Sequence, residues 1–89
     1  MAQGKMKANV PVMESGDVLR AAIKARGMMQ MDLADRLGVL QSSISGNINR
    51  KRMGLEVFGT MLDAMNYDVA VVDRETGEVM WKVALKEDR

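Results

Sequence analysis

The side chains best equipped for selective hydrogen bonding lie close together, between Gln41 and Arg52. Gln41, Ser42, Ser43, Ser45, Asn47 and Asn49 carry amides and hydroxyls, which both donate and accept, and three successive cations follow at Arg50-Lys51-Arg52. An amide such as that of Gln41 can bind adenine N6 and N7 together, and the cations suit phosphate. Other chemistry is limited by what the chain lacks. It contains no histidine and no cysteine, which excludes a thiolate metal site, a Ser-His-Asp triad and a histidine general base. No cofactor or metal site is read anywhere in the chain, and the scattered glycines fit neither a P-loop nor a dinucleotide fingerprint.

The elements that would carry these residues follow from spacing. Leu33, Ala34 and Leu37 form one apolar stripe, and Gly38 follows where a helix commonly ends in a left-handed residue. After Val39 the direction changes. Ile44 and Ile48, four apart, give a second helix a narrow buried edge, which leaves Ser42, Ser45, Gly46 and Asn49 facing outward. Two short helices meeting at a glycine turn, the second polar on its outer side, have the layout of a helix-turn-helix.

At these residues the chain resembles the lambda-repressor-like, or XRE, family of helix-turn-helix DNA-binding domains. The resemblance rests on Gln30 at the opening of the first motif helix and on the Leu33-Ala34 pair. It continues through the Leu37-Gly38-Val39 turn and the start of the recognition helix at Gln41-Ser42-Ser43-Ile44-Ser45. Asn49-Arg50-Lys51-Arg52 is similar to the family's Asn-Gly-Lys-Arg exit, with Arg50 where a glycine usually stands. Met29 and Leu40 depart from the Ser or Thr that normally caps each helix, a loss of roughly 0.5–2 kcal/mol per helix that packing must offset. Gly46 replaces a long polar side chain. The likeness spans Val18 to Tyr67 and implies a mainly α domain of four to five helices that binds double-stranded DNA.

Roles follow residue by residue. Gln41 is the leading base reader, with shorter contacts from Ser42, Ser45 and Asn49. Ser43 and Asn47 lie toward the flanks of the same helix, where backbone contact or packing competes with readout. Arg50, Lys51 and Arg52, with Lys5 and Lys7, are expected on phosphate, and Gln30 at a helix N-terminus would bond another. Charge is distributed accordingly. The chain has a net charge of only +1, but residues 1–54 hold nine Lys/Arg against four Asp/Glu, while residues 55–89 hold four against eight. A basic half containing the motif and an acidic half without it suit one face toward phosphate and another toward protein or water.

Around this motif the chain divides into an arm over 1–14, a helical domain over 15–66, and a hairpin with a tail over 67–89. Val10 to Met13 has the composition for a short added strand. Ser15 or Asp17 can cap a first helix with Val18, Leu19, Ala22 and Ile23 as its stripe and Gly27 at its end. Gly54 can cap a last helix, whose Leu55, Phe58, Met61, Leu62 and Met65 share a face, and Asn66 tolerates the left-handed position after it. From Tyr67 the period becomes two. Tyr67, Val69 and Val71 alternate on one face, and beyond the turn Asp73 to Glu78 so do Val79, Trp81, Val83 and Leu85. Gly77 supplies the positive φ of a type I turn with a bulge.

The hairpin's other face, with Ala70, Val72, Met80 and Ala84, is apolar too, and an isolated hairpin is marginal in water. A homodimer with Val69, Val71, Val79, Trp81 and Val83 in its interface is one solution, and a cover folded over the chain's own helices is the other. Met61 and Met65 read as adaptable core and Trp81 as an interface or core anchor. No segment has the roughly 18 apolar residues of a membrane span, nor does the N-terminus carry a signal core, so the expected compartment is the cytoplasm, in association with DNA. The leading expectation is a sequence-specific transcriptional regulator, most simply a repressor of the kind that the resemblance links to phages and integrative elements. The alternative is an antitoxin that binds a toxin protein and autoregulates its operon. An enzyme is not expected.

Overall fold

A computed structural model describes residues 10–50 and 53–84, and in these the chain is mainly α with a C-terminal antiparallel hairpin. Four helices, α1 (Ser15–Ala25), α2 (Gln30–Leu37), α3 (Gln41–Ile48) and α4 (Leu55–Ala64), precede strands β1 (Ala70–Val72) and β2 (Val79–Lys82). The helices converge on one core. Leu19 and Ile23 of α1, Leu33 and Ala34 of α2, Ile44 and Ile48 of α3, and Met61, Leu62 and Met65 at the end of α4 are all buried. The stripes expected from helical spacing therefore face inward, apart from Val18, which is half-buried and outside the core, and Leu55. Leu55, the first residue of α4, is exposed.

Residues whose stereochemistry permits left-handed backbone mark the ends of three helices. Gly27 follows α1 at φ +67°, Gly38 closes α2 at φ +70°, and Asn66 follows α4 at φ +69°. The helix starts differ from expectation. Glu14, not Ser15 or Asp17, occupies the cap position of α1, and its side chain makes no capping bond. At α2 the missing Ser or Thr is offset by an acid one turn in, because the Met29 amide donates to the Asp32 carboxylate at 2.8 Å. Residues 10–14 form no strand.

Several tertiary contacts join the helices outside the apolar core. Gly16 of α1 lies so close to the end of α3 that a Cβ placed there would stand 2.1 Å from the Ile48 carbonyl oxygen. The open C-terminus of α4, which has no basic residue in its own last turn, is closed by arginines from elsewhere. Arg26 donates to the Met65 and Asn66 carbonyls at 3.0 and 3.2 Å, and Arg36 to Ala64 at 3.0 Å. The Arg26 guanidinium also lies 4.0 Å from the centre of the Tyr67 ring.

The hairpin leaves this body at Val69, which packs against the core. Its turn is held by Asp73, whose carboxylate accepts from the Glu75 and Thr76 amides, with Gly77 at φ +80°. Val71 pairs with Trp81 and Ala70 with Lys82, but the register then shifts so that Val72 pairs with Val79. This corrects the simple alternation. Met80 is skipped by the ladder, so Val79 follows Val72 to the face opposite Val71 and Trp81. Nor does the hairpin cover the helices, since Val71, Val72, Val79, Met80 and Trp81 are all exposed.

Candidate nucleic-acid interface

The α2–α3 pair is a rigid unit by its local chemistry. Gly38 reverses the chain, the Val39 amide returns to the Ala34 carbonyl at 3.0 Å, and Leu40 in extended conformation starts α3. Ile44 and Ile48 then seat α3 in the core, leaving Gln41, Ser42, Gly46 and Asn49 exposed along its outer side. α3 itself contains no acid, although Glu14 and Asp17 lie beside Asn49 and Arg50 at its far end and Glu56 lines the groove beside Ser43 and Asn47. The start of α2 is less open, because the Asp32 carboxylate already lies at its first amide.

A side-chain bond ties the two helices across the turn. The Ser45 hydroxyl donates to Gln30 Oε1 at 2.6 Å. That bond takes one of the two lone pairs of Gln30 Oε1 and leaves both N–H donors of the amide for an outside acceptor. Ser45 is half-buried, and its hydroxyl proton is committed to Gln30. Ser43 and Asn47 line an open groove of about 340 Å³ with Leu37, Val39, Ile44, Val57 and Met61. They face α4 and not the outer side, which is the packing alternative open to flank residues.

At the far end of α3, Asn49 Oδ1 accepts from the Arg20 guanidinium, which also bonds Asp17 at 3.1 Å. Arg50 is exposed beside it. Arg20, missed as a site residue, thus holds the carbonyl end of Asn49 and leaves its NH2 for other partners. Nothing local signalled it, since the two residues are 29 positions apart. The basic character of residues 1–54 is also partly structural. Arg26 and Arg36 each commit donors to the carbonyls that end α4. Lys5, Lys7, Lys51, Arg52 and Leu85 lie outside the described residues.

Of the residues expected at a dimer interface, Val71, Val79 and Trp81 are exposed, Val83 is half-buried and Val69 faces the core. Among the described residues no group of acids could hold a metal ion, and no helix is long and apolar enough to cross a membrane. No protein-family model, curated protein or solved structure matches the chain.

Proposed function

We propose that the chain is a sequence-specific double-stranded DNA-binding regulator of the lambda-repressor-like helix-turn-helix type, with α3 as the recognition helix. The observation that carries this reading is the acid-free outer face of α3, on which Gln41, Ser42 and Asn49 stand exposed while two isoleucines anchor the opposite edge. A helix of this width enters the major groove, where short polar side chains and Gly46 permit close approach to base edges. The Gln30 NH2 and Arg50 flank that face and serve phosphate, which sets orientation and affinity without sequence. Binding of this kind occludes a promoter, and repression is its simplest result.

Selection of bound sites from random duplexes tests the reading, with a recurring sequence motif as the expected result. On the selected site Gln41→Ala should cost about 1–3 kcal/mol and relax one base position, whereas Arg50→Ala should weaken all sequences alike and lower the salt slope by about one. Equal loss on specific and random DNA would remove Gln41 as a reader, and the absence of any enriched sequence would overturn the proposal. A second reading, an antitoxin using the same motif, draws on the exposed apolar hairpin, which suits a protein partner. Stoichiometric co-purification of a toxin encoded beside it would favour that reading.

A further inference from the structure

We propose that β1 pairs with β1 of a second copy of the chain, antiparallel about a two-fold axis at Val71, so that two hairpins form one four-stranded sheet. The hairpin needs a partner. Trp81 is 66% exposed, Val72 52% and Val71 48%, and of the described segment only Tyr67 and Val69, at its root, pack on the core. Three or more strands are the ordinary minimum for a sheet in water.

The backbone selects the edge. Val69 accepts from the Val83 amide and Asp73 donates to Glu78, while Val71 lies opposite Trp81. Residues 69, 71 and 73 therefore direct their amides and carbonyls toward β2, and by alternation those of Ala70 and Val72 point to the open side. This edge is regular and holds neither lysine nor proline from Ala70 to Val72. The outer edge of β2 is blunted by the skipped Met80 and by Lys82.

Side chains select the register. An axis at Val71 sets Ala70 opposite the partner's Val72, and Val72 opposite the partner's Ala70, using all four outward backbone groups on each copy. It also puts Asp68, just before the strand, on the same side as the partner's Arg74, which opens the turn just after it, so that opposite charges face each other at both ends of the seam. Asp68 already bonds Lys82 of its own copy at 3.0 Å, so one carboxylate would serve two cations. An axis at Val72 would instead oppose Asp73 to the partner's Val71, and an axis at Ala70 would oppose Asp68 to the partner's Val72. In the favoured register Val71 and Trp81 of both copies form one continuous apolar face.

Sedimentation of the full chain without DNA tests this independently of the proposed function. The unmodified protein should be a dimer at tens of micromolar. Val72→Pro removes an amide hydrogen that points outward and no bond within the hairpin, so it should give a monomer with unchanged helical circular dichroism. Lys82→Pro makes the same lesion on the outer edge of β2 and should stay dimeric. Arg74→Glu, in an exposed turn where folding is not at stake, should raise the dimer dissociation constant about tenfold. A monomeric unmodified chain, a dimeric Val72→Pro, a Lys82→Pro that dissociates, or an Arg74→Glu without effect would each overturn the proposal.

Discussion

Leu19, Leu33, Ile44 and Met65 are sealed among four helices, whereas Val71, Val72 and Trp81, no less apolar, stand about half or more in solvent on the hairpin. Both sets occur with the regular spacing of an element that hides one side, period near four in the helices and two in the strands. Among the described residues only the helical stripes find cover. Spacing thus identifies a surface that water disfavours without identifying what removes the water, and the two regions divide on that second question. The helical body has a sealed centre, while the hairpin's apolar surface is not covered by any of the described residues.

Substitutions should separate the two regions by size of effect. Leu33→Ala, at a fully buried position, should lower unfolding free energy by about 2–5 kcal/mol in denaturant titration. Gly16→Ala should cost about 1–3 kcal/mol, since its Cβ meets a backbone carbonyl that cannot rotate away, and a neutral result would mean that α1 and α3 slide apart freely. Arg26→Met should cost about 1–2 kcal/mol, reduced by partial exposure, through loss of the bonds that close α4. Trp81→Ser should change the stability of the dilute chain by less than about 0.5 kcal/mol, although it removes the largest side chain in the protein. A loss approaching that of Leu33→Ala, measured at sub-micromolar concentration, would show that the hairpin is internally covered and erase the contrast.

Legibility in the sequence followed the range of the interaction that decides each feature. Gly27, Gly38, Asn66 and Gly77 sit at positive φ as their residue types imply, because that preference is a steric property of one residue. The buried stripes of the helices were readable for a similar reason, with periodicity local and the core its consequence. What was not readable depends on partners distant in the chain. The register shift past Met80 reflects the pairing of Val72 with Val79, the service of Arg26 and Arg36 to α4 reflects tertiary docking, and the Arg20–Asn49 contact joins α1 to the residue that follows α3. Asp32 is a different case. Its reciprocal bond to the Met29 amide lies within four residues, and an acid at the third position of α2 was a visible signal of it. In the candidate interface, the outward side of α3 was legible from the two isoleucines, but the Gln30–Ser45 bond, which takes one lone pair of Gln30 Oε1, required coordinates.

The two arginines that close α4 also impose an order of events. Both come from segments earlier in the chain, so the last carbonyls of α4 are satisfied only once α1 and α2 have docked against it. During synthesis α4 would emerge onto a cap that is already in place, and its final turn would not persist before that docking. Helix ends ordinarily fray on their own. Here the amides of Met65 and Tyr67, both bonded to the Leu62 carbonyl, should exchange with solvent only when the whole body opens. The segment from which the hairpin springs would then be as slow to exchange as the centre of the core.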